Sequence, residues 1–273
     1  MASKKGDNLI PKIIHYVWFG GKPLGEKELA CIASWKKYCP DYEIKRWDED
    51  NFDLDINSYC KEAYAAKKWA FVSDYVRLWV LVNNGGVYMD TDVEVTKPLD
   101  SFLELEAFSG FESDGDIPTG IMGCRKGFPL FQVLLDDYET RRFLKLDGSF
   151  NMTTNVVYIT EACLEKGLIR NGQLQTVDGF TLYPKDWFCP KSHETGRIFI
   201  TENTHAIHHF AGSWENESTK EIVALKKDLL GRHPWINIKV AAVIAKLKYA
   251  FSHGDYKPLL DGFRSAFKQA GKR

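Results

Sequence analysis

Along the chain, short β-branched runs alternate with longer stretches of helical periodicity. Ile13-Ile-His-Tyr-Val-Trp18 is a compact apolar run ending at Gly20-Gly21, which predicts a strand entering a glycine turn. Residues 26–38 are helical in composition and stop before Pro40, and 42–47 alternate as a second strand. The longest helical pattern covers 62–83, with apolar side chains at Trp69, Val72, Val76, Trp79, Val80 and Val82. Asn84-Gly85-Gly86 closes it. Val87, Met89 and Thr91 then alternate with Tyr88, Asp90 and Asp92 before Val93 and Val95, which predicts a buried strand running into a polar rim. Further strands are expected near 107–112, 119–124, 180–183 and 205–210, and helices at 128–140, 153–166 and 217–229. Alternation of this kind predicts α/β layering rather than a sandwich or a bundle.

After Gly231-Arg232-His233-Pro234 the pattern changes. Ile236, Val240, Val243 and Leu247 recur at helical spacing, and a second short helix is expected at 257–270. The expected domains are a body over 1–230 and a helical extension over 231–273. Charge separates them as well. The 273 residues sum to a formal charge of −1, yet 231–273 hold nine Lys/Arg against two acids, while 1–230 hold 27 against 35. So acidic a body argues against nucleic acid as a partner, whereas the basic tail suits either packing on the body or contact with an anionic membrane.

Eight Trp, 12 Tyr and 17 Phe either fill a core or build platforms for sugars and bases, so composition alone leaves both readings open. Six cysteines, spread from Cys31 to Cys189, form no CxxC pair or zinc-like cluster; reduced, buried thiols are expected. The first residues carry no apolar core of signal-peptide length, and no apolar run reaches the roughly 18–20 residues of a membrane span. The expected location is the cytoplasm, with the inner face of the membrane as the surface available to the tail. Oligomeric state is left open.

The sharpest chemistry lies in Gly85-Gly-Val-Tyr-Met-Asp-Thr-Asp92. If Met89 to Asp92 stays extended, Asp90 and Asp92 point to one face. Two carboxylates at the end of a strand are costly to bury without a cation or a donor network. Mg²⁺ or Mn²⁺ would remove their repulsion and could bridge phosphate oxygens; a solvated strand end is the simpler alternative. On the preceding helix, Asp74 and Arg77 stand three residues apart on one face. They read either as a helix ion pair or as a substrate pair, Arg77 toward phosphate and Asp74 toward a hydroxyl.

Four segments together resemble glycosyltransferase family 32: Ile10-Pro-Lys-Ile-Ile-His-Tyr-Val-Trp-Phe-Gly20, Phe71-Val-Ser-Asp-Tyr-Val-Arg77, Gly85 to Asp92, and Ala206-Ile-His-His-Phe-Ala-Gly-Ser-Trp214. That group includes yeast-type mannosyltransferases and bacterial surface-polysaccharide transferases, with the catalytic domains of large clostridial glucosylating toxins as more distant relatives. The resemblance spans most of 10–214 and none of the tail. It implies a GT-A-type α/β fold with a mixed central sheet flanked by helices. It also implies retaining, metal-dependent transfer of a hexosyl group from a nucleotide-sugar, UDP-hexose ahead of GDP-mannose, to a hydroxyl of a surface glycan or lipid-linked oligosaccharide.

Residue by residue, the resemblance implies that Trp18 stacks on the nucleobase and that Asp74 and Arg77 contact the donor. Asp90 would meet ribose, sugar or metal, Asp92 would be the firmer metal ligand, and Asn155 would bind a donor hydroxyl. His208, His209 and Ser213 are candidates to complete the metal, His209 being favoured, and Trp214 would cap the donor phosphate. Residues 112–120 are expected as an acceptor loop or a surface turn. Two other classes stay in view: a carbohydrate-binding protein without catalysis, and a DxD phosphatase or phosphotransferase, which wants a DxDxT continuation where this chain reads Asp90-Thr-Asp-Val-Glu94. A dinucleotide oxidoreductase is excluded by the missing GxGxxG.

Overall fold

The computed structural model describes residues 10–112, 115–212 and 217–261. Its elements, in chain order, open with β1 (Ile13–Val17), α1 (Glu26–Tyr38), β2 (Glu43–Trp47), α2 (Ser58–Ala65) and α3 (Trp69–Asn84). They continue with β3 (Gly86–Met89), β4 (Val93–Val95), β5 (Ala107–Gly110), β6 (Ile121–Cys124), α4 (Pro129–Asp136) and α5 (Asn155–Glu165). The last are β7 (Gln175–Val177), β8 (Phe180–Tyr183), α6 (Lys185–Phe188), β9 (Ala206–His208), α7 (Glu217–Arg232) and α8 (Ile238–His253).

Seven strands form one mixed sheet in the order β2-β1-β3-β6-β5-β8-β7. β1 lies parallel to both β2 and β3, β6 runs antiparallel to β3 and β5, and β5 is parallel to β8. Side chains alternate across the sheet and feed two cores. Tyr88 joins α3, α4 and α5 on one face, while Val87 and Met89 join Trp35 of α1 on the other. This is the α/β architecture, a mixed sheet flanked by helices, that the sequence predicts. All six cysteines are buried and unbridged, as expected.

The helix expected over 62–83 is two helices. Asn57 caps α2 by accepting from the N–H groups of Tyr59 and Cys60. Lys67 then enters the left-handed region (φ 56°), and Lys68 N–H donates to the Ala63 carbonyl, which ends the helix. Ala65-Ala66-Lys67-Lys68 contains no glycine or proline to announce that stop. β7 and α6 also lack a sequence signal of useful length.

The expected strand from Val87 to Val95 is interrupted too. β3 ends at Met89, and Val93 N–H donates back to the Asp90 carbonyl at 3.0 Å, so Asp90–Asp92 form a turn. β4 resumes beyond it in a separate two-stranded sheet, antiparallel to β9, with Val93 opposite His208. The turn therefore redirects the chain from the main sheet to a small one built with a segment more than a hundred residues later.

Gly85 and Gly86 make the close approach before β3 workable. Both have positive φ (69° and 100°), and a Cβ on Gly86 would sit 2.7 Å from the Ile13 carbonyl oxygen. Beneath them, His15 of β1 is fully buried. Its Nε2 donates to the Gly85 carbonyl at 2.9 Å, and its Nδ1 accepts from the Trp47 indole at 3.1 Å, which fixes the neutral ring. Burial pushes its pKa down to about 4, against the Gly85 carbonyl. Between pH 6.5 and 4 the unfolded chain thus binds a proton that the folded chain does not, so stability falls as pH drops through that window, by up to about 3 kcal/mol. Asp74 of α3, raised to about 6 by burial, works in the opposite sense. The comparison is therefore with His15→Gln, which still donates to Gly85: in urea melts from pH 7 to 4, wild type should lose stability relative to the variant. Parallel pH curves would remove His15 as the source.

The described residues divide into two compact units, one formed by those up to 190 with 199–209, the other by 191–198 with those from 210 to 261. The division precedes the 230/231 boundary expected from the charge pattern, because α7 packs on α8 in the second unit. No helix among the described residues is long and apolar enough to cross a membrane.

Candidate active site

Parallel pairing of β1 with β3 brings the carboxyl ends of both strands to one edge of the sheet, where Trp18 and Asp90 follow the strands' last residues, Val17 and Met89. Ligands of open α/β sheets gather at such edges. Trp18 is half-buried there, and its indole donates to the Lys22 carbonyl at 2.6 Å.

Asp90 continues the alternation of Tyr88 and so faces α3. Its Oδ1 accepts from the Tyr88 hydroxyl at 2.7 Å and from Arg77 Nη2 at 3.1 Å. Arg77 is buried, lies over the Tyr88 ring at 4.9 Å, pairs through Nη1 with Asp74 at 2.9 Å, and donates to the Thr119 hydroxyl. Asp74 Oδ2 accepts from the Asn155 N–H at 3.2 Å. Asn155 Nδ2 donates to the Asp74 carbonyl at 2.6 Å, and Asn155 Oδ1 accepts from the Tyr138 hydroxyl at 2.5 Å. A buried chain of polar contacts thus runs from Tyr138 to the first aspartate of the turn. Burial opposes the charge of Arg77, but Tyr88, Asp90 and Asp74 together outweigh it. The same burial lifts the Asp74 carboxyl to about 6 despite the pull of Arg77.

On the other side of the turn stands His208. Its Nε2 lies 3.3 Å from Asp92 Oδ1 and 3.9 Å from Asp90 Oδ2. Burial disfavours its imidazolium, but Asp92 and the Cys189 thiol outweigh that and hold its pKa above the ordinary value. Glu112 lies nearby; burial raises its carboxyl and His208 pulls it back. Ligand atoms of Asp90, Asp92 and His208 all lie within 4.8 Å of one another, which among the described residues is the one cluster of three groups able to hold a metal ion. Two carboxylate oxygens with an imidazole nitrogen form a donor set that fits a borderline divalent cation; the nitrogen suits Mn²⁺ better than Mg²⁺.

The structure redistributes several expected roles. Asp90 and Asp92 converge through a turn rather than through an extended strand. His208, and not the favoured His209, faces them: adjacent residues of a strand point to opposite sides, and His209 Nε2 sits 2.9 Å from Glu94 Oε2. Both Nη atoms of Arg77 and the side-chain amide of Asn155 are engaged by protein partners, so these residues are placed to hold Asp74 and Asp90 in position. Ser213 and Trp214 lie outside the described residues.

Gly120 closes the 112–120 segment expected as an acceptor loop or surface turn, and the sequence gives no sign of its part beside the metal set. Its carbonyl accepts from the Asp90 N–H at 2.8 Å, and a Cβ there would stand 2.7 Å from His208 Cε1. The missing side chain is what lets the ring approach the turn. Gly120→Ala should push His208 away and weaken Mn²⁺ binding about tenfold, the scale of a disturbed ligand orientation. Titration calorimetry reads this directly, and unchanged Mn²⁺ affinity would show that the ring tolerates the methyl. Thr119, Tyr88 and Tyr138 were likewise missed, since a core tyrosine or a loop threonine looks the same in sequence whether or not it meets a buried charge.

Comparison with known proteins bears on the segment that holds the Asp90–Asp92 turn. The family model described as "Glycosyltransferase sugar-binding region containing DXD motif" matches residues 25–109, ending well before His208. Inositol phosphoceramide mannosyltransferase 3 of Schizosaccharomyces pombe is 31% identical over 134 residues, which are 46% of this chain and 36% of that protein. Subversion of eukaryotic traffic protein A of Legionella pneumophila is 26% identical over 164 residues, 48% of this chain and 25% of that protein. The matched region thus spans only about a quarter to a third of these relatives. Among solved structures, PaToxG glycosyltransferase aligns with a TM-score of 0.43 at 21% identity, over 58% of this chain and 70% of that one. The part of the chain that is similar to a glycosyltransferase sugar-binding region containing the DXD motif is thus residues 25–109, from the start of α1 into β5, with the Asp90–Asp92 turn inside it.

Proposed function

We propose that this chain is a metal-dependent, retaining glycosyltransferase moving a hexosyl group from a nucleotide-sugar, a UDP-hexose ahead of GDP-mannose, to a hydroxyl of a surface glycan or lipid-linked oligosaccharide. The observation that carries the reading is the convergence of Asp90, Asp92 and His208 at the carboxyl edge of β3. The named activity of the Schizosaccharomyces pombe relative supports transfer from an activated sugar. The catalytic unit in this reading is the compact unit of the described residues up to 190 with 199–209, which carries Asp90, Asp92 and His208, acting at the cytoplasmic side.

When bound, a divalent cation would offset the charge developing on the departing diphosphate. The protein's own part is to hold the ligands and the donor. Asp90, Asp92 and His208 would hold the cation, Asp90 is anchored from behind by Arg77 and Tyr88, and Trp18 would offer its ring to the base. Such stacking contributes about 1–3 kcal/mol per base. In the transfer step, the acceptor oxygen bonds to the anomeric carbon on the face from which the diphosphate leaves. The C–O bond to phosphate breaks, and the acceptor proton passes to the leaving phosphate. Asp74, held behind Arg77, acts as a positioning residue.

A panel of UDP- and GDP-sugars with Mn²⁺ and Mg²⁺, followed by donor hydrolysis and ligand-observed NMR, tests this reading. Metal-dependent release of UDP from one sugar supports it and names the donor. Glycan binding without cleavage of any donor would instead favour a carbohydrate-binding protein, and release of phosphate from simple monoesters would favour the phosphatase class.

A further inference from the structure

Helix α8 turns alanines and one tyrosine inward and most of its bulky aliphatic residues outward. Ala241, Ala245 and Tyr249 share its buried face, and α8 packs against α7 in the same compact unit. The opposite face carries Val240, Val243, Leu247 and Phe251 at successive helical turns, with Val240, Val243 and Phe251 exposed. A globular helix normally shows the reverse arrangement, bulky side chains in and polar ones out. Trp235, just before the helix, is 77% exposed, and Phe251, near its end, is 74% exposed. At 100° per residue, Lys239 and Lys246 flank this stripe on one side and Lys248 on the other. From His233 to Gly254 there is no acidic residue.

We propose that the outward face of α8 is a docking surface for an anionic lipid bilayer. The apolar stripe would enter the boundary between headgroups and acyl chains, with Trp235 and Phe251 at its two ends, while the flanking lysines meet lipid charge. Charge complementarity selects this occupant: the charged residues that α8 sets beside the stripe are all lysines, which suits a surface of one sign. Binding of this kind needs no donor or metal, so it stands or falls separately from glycosyl transfer.

The test is co-sedimentation of the full chain with vesicles of phosphatidylcholine alone and of phosphatidylcholine with about a third phosphatidylserine. The expected result is binding to the anionic vesicles that weakens with salt. Joint replacement of Lys239, Lys246 and Lys248 by Gln should weaken it about fivefold per lysine. The double replacement W235S/F251S, at exposed positions outside the packed face, should weaken it at least about tenfold. Failure of the wild-type chain to sediment, or equal binding to both vesicle types, overturns the proposal. Concentration-dependent dimerisation that W235S/F251S abolishes, without vesicle binding, would also overturn it and assign the face to a second copy of the chain.

Discussion

Asp92→Asn should lower Mn²⁺-dependent donor turnover by about a thousandfold and lower the melting temperature less than Asp90→Asn does. Asp92 sits on the far side of its turn from the buried chain: its carboxylate faces His208 Nε2 at 3.3 Å, whereas Arg77 and Tyr88 hold Asp90. Replacement by the isosteric amide removes a negative oxygen from the metal set without unpairing any buried arginine. A catalytic metal supplies several kcal/mol of charge stabilisation, and about 4 kcal/mol corresponds to the thousandfold loss. Asp90→Asn should differ in kind, losing turnover and stability together, because its Oδ1 also serves Arg77 and Tyr88. Three measurements on each variant separate the cases: donor turnover against Mn²⁺ concentration, Mn²⁺ affinity by calorimetry, and thermal melting. Undiminished turnover in Asp92→Asn would discard Asp92 as a ligand.

The difference between the two aspartates also marks how far sequence reasoning reaches. The alternation of Val87, Tyr88 and Met89, closed by two glycines before and a polar rim after, was enough to place a buried strand with carboxylates at its end. It was not enough to show that the strand stops at Met89, because a turn closed by one backbone hydrogen bond leaves no mark on hydrophobic periodicity. The choice between His208 and His209 was beyond sequence for a related reason. It depends on the register of β9 against β4, a pairing of residues more than a hundred positions apart, and a shift of one residue would exchange the two rings. Asp74 and Arg77 were visible as a pair three residues apart. That they reach inward to Thr119, Asn155 and Asp90 follows from how α3 lies on the sheet, which no local pattern encodes.

Arg77→Met should destabilise the fold by about 3–5 kcal/mol, the cost of removing one partner from a buried ion pair, and lower the melting temperature by about 10 °C. Its guanidinium serves Asp74, Asp90 and Thr119 at once from a buried position, so its loss leaves Asp74 without its cation and Asp90 Oδ1 with Tyr88 as its one remaining donor. Arg77→Lys keeps the charge but not the planar fork. An ammonium cannot reach three partners in the guanidinium's geometry, so this variant should fall between wild type and Arg77→Met in stability. It also separates two roles for the arginine. If Arg77 acted by touching donor phosphate, Arg77→Lys would raise the donor KM and leave melting and Mn²⁺ affinity unchanged. With Arg77 as the tether of Asp90, melting temperature and Mn²⁺ affinity should fall together, because a carboxylate freed from its anchor is a poorer ligand whatever the donor concentration. A variant with wild-type melting and Mn²⁺ binding but a raised donor KM would return Arg77 to direct contact with the substrate.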